Sequence, residues 1–195
     1  IRTPVDYIPT QMDIDQYKSI DLYGYWQNQD TLDMTSRSEL RSWFRFADWI
    51  YEMFPKGFQD ESMRKDGYIA CHSRRGDYAT TVSHCYCCIS DYSYERALGD
   101  LDSRIQEVDW ISEEDPYKSI TMDDLNLGFI PDFMRLVNSD VLLRANSTFS
   151  WWAGVFNNGK VYSPLVEDKV GWQDLINFVE GNWPKCASSK NHPST

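Results

Sequence analysis

Gly67-Tyr68-Ile69-Ala70-Cys71-His72, followed at once by Ser73-Arg74-Arg75-Gly76-Asp77-Tyr78, is the stretch on which the fold reading turns. A short apolar run bounded by glycine and closed by a polar cluster has the character of a strand buried on both faces. Strands of that kind build parallel sheets, and ligands of such sheets gather beyond the carboxyl ends of the strands. Here that end carries two adjacent guanidinium groups, which match phosphate oxygens in a bidentate way. Gly76 permits close backbone approach or a positive φ. Asp77 is placed to hold one of the arginines. The same cluster also reads as a surface group of salt bridges.

Downstream the pattern alternates. Residues 91–105 carry Tyr94, Ala97, Leu98, Leu101 and Ile105 at helical spacing. Val108–Ile111 reads as a second strand, running into Ser112-Glu113-Glu114-Asp115-Pro116. A helix follows within 123–138, ending before Asn138. Asp140–Arg144 is a third strand, leading into Ala145-Asn146-Ser147-Thr148. Phe149 to Phe156 reads as a helix closed by Asn157-Asn158-Gly159, and Lys160–Tyr162 as a fourth strand before Ser163-Pro164. Strand and helix in strict alternation imply an α/β domain: a Rossmann-like parallel sheet with helices on both faces. Its expected parallel strands are Tyr68–Cys71, Val108–Ile111, Val141–Leu143 and Lys160–Tyr162, within a domain spanning 67–185.

Upstream, residues 1–66 read as a lead-in and connecting helical segment. Residues 1–35 show little periodicity and read as extended. Residues 36–54 place Leu40, Trp43, Phe44, Ala47, Ile50, Tyr51 and Phe54 on one helical face, with Ser36 or Ser38 as cap. Residues 55–67 read as a loop, and 186–195 as a polar tail.

At 195 residues the chain has the size of one domain with a real core. With 42% hydrophobic and 25% charged residues it has the composition of a globular protein. No apolar run is long enough to span a membrane. Lysine and arginine total 19 against 30 acidic residues, a formal net charge of −11, which argues against a nucleic-acid partner. The five cysteines are Cys71, Cys85, Cys87, Cys88 and Cys186. The His84-Cys85-Tyr86-Cys87-Cys88 run is spaced too tightly for a tetrahedral zinc site, so no metal is expected. Free thiols suit a reducing compartment, and a cytoplasmic or membrane-peripheral location is the expectation.

A second candidate site is Asn146-Ser147-Thr148-Phe149-Ser150. Hydroxyl residues at a strand-to-helix turn are first of all helix caps. The same turn presents backbone N–H groups and the positive helix end, an anion site. A third is Ser112-Glu113-Glu114-Asp115, which reads as a solvated acidic loop or as carboxylates for a ribose, base or metal.

Taken together, His72-Ser73-Arg74-Arg75-Gly76-Asp77-Tyr78 and Ala145-Asn146-Ser147-Thr148-Phe149-Ser150-Trp151-Trp152-Ala153-Gly154 resemble two motifs of the alpha-1,2-fucosyltransferase family. Gly24-Tyr25-Trp26-Gln27 stands where the family carries a third. The resemblance covers roughly Leu22 to Val166. Ser73 stands where the family has an aliphatic residue. The acidic family segment has only a loose counterpart at Ser112–Asp115, and the family's Gly-rich opening turn has none in this chain.

The resemblance implies the donor-binding half of a GT-B-type glycosyltransferase, inverting and metal-independent, with GDP-fucose as donor and a glycan as acceptor. It implies Arg74 as the cation meeting charge on the departing pyrophosphate, supported by Arg75 and oriented by Asp77. Donor binding would fall to His72, Gly76, Tyr78, Asn146, Ser147, Thr148 and Ser150. A transferase using another GDP-sugar, or a non-catalytic nucleotide- or carbohydrate-binding module, fits the same motifs.

Overall fold

The fold comes from a computed structural model that describes residues 2–5, 11–23, 36–53, 68–79, 87–101, 107–112, 128–166 and 176–182. Strand β1 (Arg2–Val5) pairs in parallel with β2 (Asp21–Tyr23), and helix α1 (Gln11–Gln16) lies between them in sequence. The expected extended lead-in is thus interrupted by regular elements too short to leave a periodic signal.

The single helix expected over 36–54 is two helices, α2 (Arg37–Trp43) and α3 (Asp48–Met53). Ser36 caps α2, its Oγ accepting from the Glu39 N–H at 3.2 Å. At Phe44 the backbone turns extended, φ −107° and ψ 92°. Aromatic residues gain little from helical backbone, and here they gain more from contacts across the fold. Phe44 lies 6.2 Å from both Trp152 and Phe156, and Phe46 meets Phe133 edge-on at 6.1 Å. Leu40 and Ile50 are buried as the spacing requires, whereas Trp43 stays 60% exposed.

The main sheet begins with β3 (Tyr68–Ser73), where Ile69, Ala70 and Cys71 are fully buried. Helix α4 (Asp91–Asp100), β4 (Glu107–Ser112), α5 (Ile130–Asn138), β5 (Val141–Leu143), α6 (Thr148–Phe156), β6 (Lys160–Leu165) and β7 (Asn177–Glu180) follow. The strand order is β4-β3-β5-β6-β7. The first four strands pair in parallel, in registers such as Ile69↔Val108, Ile69↔Val141 and Leu142↔Val161. Strand β7 runs antiparallel to β6, so the sheet is mixed rather than wholly parallel. Only Phe178 of β7 is even half-buried among exposed neighbours, which is why the sequence pattern missed this strand.

Side-chain alternation sorts the core into two faces. Ile69, Cys71 and Leu143 pack with Tyr94, Ala97 and Leu98 of α4. Ala70, Leu142 and Val161 pack with Leu136 of α5 and Ala153 of α6. The winding goes one way from β3 to β4 with its helix on one face. It returns to β5 and β6 with helices on the other, as a constant crossover hand requires. Arg135 of α5 clasps Asp109 of β4, Nε to carboxylate at 2.7 Å, and the Tyr68 hydroxyl donates to the same carboxylate.

The amino ends of the strands are laced together through backbone. Asp140 accepts from the Tyr68 N–H at 3.1 Å through its carboxylate and from the Lys160 N–H at 2.9 Å through its carbonyl. The fully buried Asn157 amide donates to the Leu136 and Ser139 carbonyls at 2.8 and 2.9 Å. Gly159 sits in this knot, where a Cβ would lie 2.1 Å from the Asp140 carbonyl oxygen. Gly159→Ala is therefore expected to cost about 1–3 kcal/mol or more, the overpacking range for a rigid neighbour. Gly99→Ala in α4, with nothing within 4 Å of the new methyl, should instead stabilise by up to about 1 kcal/mol. Urea unfolding of the two variants should move in opposite directions.

Burial pushes the Cys71 thiol from its ordinary 9.0 up to about 12, with Asp109 adding to the shift. A folded value above the unfolded one means stability that is complete below pH 9 and lost as pH climbs toward 12. Denaturation midpoints should fall across that window, and Cys71→Ala should flatten part of the fall. A wild-type midpoint constant to pH 11 would contradict the buried thiol.

Candidate functional site

The site begins where β3 ends. Its carboxyl end and that of the neighbouring β5 flank the point at which the winding reverses, the position where open α/β sheets form a ligand crevice. The first two sequence-predicted clusters follow these two adjacent strands. Ser112 ends β4, next to β3 on its other side, and residues 113–115 of the third cluster lie outside the described residues.

After Ser73 the chain leaves the sheet through Arg74 and Arg75. It turns at Gly76, whose φ of 40° is in the left-handed region that favours glycine. The turn continues as a short 3-10 segment, Gly76–Ala79, which contains Asp77, and the Tyr78 N–H closes it on the Arg75 carbonyl at 2.9 Å. The closure brings the Tyr78 ring under Arg74, with the guanidinium carbon 4.9 Å from the ring centroid. Such a cation–π contact is worth about 0.5–1 kcal/mol at a partly exposed site.

Arg75 is engaged differently. It donates to the Ile89 carbonyl at 2.8 Å and pairs with Asp91 in the first turn of α4. Its described carboxylate partner is thus Asp91. The two adjacent arginines divide into one stacked on the turn and one fastening that turn to α4.

His72 is buried, its carbonyl accepting the Tyr94 hydroxyl at 2.6 Å. Its ring lies 5.5 Å from the ring of Phe149 in the first turn of α6. The two motifs therefore touch, the strand-ending histidine of one against an aromatic side chain of the other.

On the β5 side, Ala145 and Asn146 are buried, and the Asn146 amide reaches toward the Cys87 sulfur at 3.9 Å. Ser147 is the N-cap residue of α6, with an extended backbone, but its hydroxyl makes no capping bond. The first turn of α6 holds no acidic residue that would offset its positive end. Thr148 is exposed beside it. Ser150 is fully buried, its hydroxyl turned back to the Ala145 carbonyl at 3.2 Å, so it braces the turn from within.

Of the residues after these two strands, Arg74, Gly76, Tyr78, Ser147 and Thr148 are at least partly exposed, while His72, Asn146 and Ser150 are buried. The arrangement combines a guanidinium, hydroxyl donors and a helix N-terminus, a set suited to a multiply charged anion. Sequence reasoning passed over Arg144 and Asp91. An arginine directly after the apolar Val141-Leu142-Leu143 was a signal for the first, since a charge at the end of a buried strand has to be accommodated. Nothing local marked Asp91 as a partner of Arg75.

A cavity of about 760 Å3 lies alongside, lined chiefly by Phe44, Phe133, Met134, Phe149, Trp152 and Phe156. It adjoins the strand ends through Thr148 and Phe149, but its walls are aromatic. Arg41 and Arg45 at its edge are engaged with Asn158 and Asp48. Among the described residues, no cluster of three or more His, Cys, Asp or Glu side chains is arranged to hold a metal. Cys71, Cys87 and Cys88 are buried free thiols. His84, Cys85, Cys186 and Gly24–Gln27 lie outside the described residues. No helix of the described residues is long and apolar enough to cross a membrane.

Comparison of the chain with protein-family models, with curated proteins and with solved structures finds no match.

Proposed function

We propose that the chain is the donor-binding part of an inverting, metal-independent glycosyltransferase that moves fucose from GDP-fucose to a hydroxyl of a glycan acceptor. The observation that carries the reading is the contact between the two family-like motifs. They follow adjacent parallel strands at the winding reversal and meet through His72 and Phe149.

The chemistry asks for what this crevice offers. As the bond between the sugar and the diphosphate breaks, negative charge builds on the diphosphate oxygens and positive charge on the sugar ring. The acceptor oxygen bonds to the anomeric carbon on the opposite face, which inverts it, and the acceptor proton is released. Charge on the leaving group is met most effectively by donors already in place. Arg74, which lies over the Tyr78 ring, supplies a guanidinium. Ser147 and Thr148 supply hydroxyls, and the α6 terminus supplies oriented N–H groups. Arg75, tied to Asp91, sets the path of the loop that presents Arg74.

A ligand that binds only the folded state raises its stability by mass action, about 2.7 kcal/mol at a hundredfold excess over Kd. GDP should therefore raise the melting temperature, and EDTA should leave that rise in place. A rise that needs added manganese or magnesium contradicts the metal-independent reading. An absence of any rise contradicts the nucleotide.

Arg74→Ala should lower turnover of GDP-fucose by roughly 10²–10³, the cost of removing a preorganised donor. Arg74→Lys should not rescue it, because the planar fork is lost. The melting curve of either variant should barely move. Arg75→Ala should retain more turnover and lose about 1–2 kcal/mol of stability, since Asp91 is 75% exposed and the hydrogen bond to the Ile89 carbonyl dominates. Near-normal turnover in folded Arg74→Ala would reduce the motif to a structural cluster.

A further inference from the structure

Arg144 directly follows β5 and is only 4% exposed, an unusual place for a guanidinium. Its backbone N–H donates to the Tyr162 carbonyl of β6 at 3.0 Å. Its Nε donates to the hydroxyl of Ser163, itself fully buried, and its Nη1 donates to the Ala145 carbonyl at 3.1 Å. The Ser150 hydroxyl is shared between that same carbonyl, at 3.2 Å, and the Ser147 carbonyl, at 3.3 Å. Two side chains, one from each side of the turn in sequence, thus converge on a single carbonyl oxygen.

A trans peptide is planar, with its N–H directed opposite to its C=O, and the structure contains no cis bond among the described residues. Drawing the Ala145 carbonyl toward Arg144 and Ser150 therefore turns the Asn146 N–H away from both. We infer that Arg144 is a positioning residue for the anion-binding turn. It bridges β6 and the turn, and with Ser150 fixes the peptide orientation from which the Ser147 hydroxyl and the first turn of α6 are presented to a diphosphate. The inference rests on the nucleotide-sugar reading above and adds a residue that the family-like motif did not mark.

Geometry decides the expected effects. The bridge uses two nitrogens of a planar fork, which a lysine cannot reproduce although it keeps the charge. A misplaced turn should weaken contacts to phosphate and leave contacts to the base alone. A general loss of packing would weaken both alike.

The test is titration calorimetry of the intact chain with GDP and with guanosine, for wild type, Arg144→Lys and Ser163→Ala. Wild type should bind GDP more tightly than guanosine. Arg144→Lys should lose about tenfold in GDP affinity, the scale of one hydrogen bond to a charged group, with guanosine affinity unchanged. Ser163→Ala, which removes the Nε anchor, should shift the ratio the same way by less. A cooperatively folded Arg144→Lys that keeps the wild-type ratio of GDP to guanosine affinity overturns the positioning role and leaves the nucleotide reading standing. If Arg144→Lys does not fold, an unchanged ratio in Ser163→Ala overturns it instead. Wild type without preference for GDP overturns the nucleotide reading and this inference together.

Discussion

The constant hand of the strand-to-strand crossovers is the constraint from which the rest of the sheet follows. Strand β3 has parallel partners on both sides, β4 reached first and β5 reached on the way back. Travelling in opposite directions with one hand forces the connecting helices onto opposite faces. Tyr94 of α4 therefore covers Ile69 and Cys71, while Leu136 of α5 helps cover Ala70. Helices that part to opposite faces cannot close over the strand ends between them. The opening at the carboxyl ends of β3 and β5 is thus a product of topology, before any side chain is considered.

The two ends of the sheet are built in opposite ways. At the amino ends, backbone and short polar side chains are pressed together around Asp140, Asn157 and Gly159, closely enough that one methyl group does not fit. At the carboxyl ends the chain spends long side chains on holding turns apart. Arg75 reaches to Ile89 and Asp91, and Arg144 reaches to Ser163 and Ala145. A packed end fixes strand register, and a braced end keeps donor geometry without filling the crevice.

Much of the α/β core was legible because burial on both faces leaves continuous apolar runs. Tyr68–Cys71, Val108–Ile111 and Val141–Leu143 all fall within observed strands. The 36–54 segment misled because its apolar spacing is genuine for Leu40 and Ile50, while Phe44 and Phe46 are spent on contacts with Trp152 and Phe133. Periodicity counts apolar residues and cannot tell which neighbour each will meet. Strand β7 escaped for the converse reason, since it is an exposed edge that borrows its register from β6. Within the site, the sequence placed the two motifs at strand ends. It could not distribute roles within them, because the division between Arg74 and Arg75 depends on Tyr78 and Asp91, set by the turn and by α4.

A net charge of −11 does not by itself decide against the proposed anionic ligand once distance is taken into account. At physiological salt, exposed charges more than about 8 Å apart are largely screened from one another. Acidic residues elsewhere on the surface therefore weigh little against donors in direct contact with a ligand. Buried charge escapes much of that screening, and Arg144 lies buried behind the turn that carries Asn146 and Ser147. The first turn of α6 adds the positive helix end and brings no carboxylate of its own. Potential at the crevice is consequently set by a few nearby groups, while the whole-chain charge governs solubility and long-range encounter. An acidic chain can in this way combine long-range repulsion of extended polyanions with the short-range contacts that the proposed diphosphate site requires.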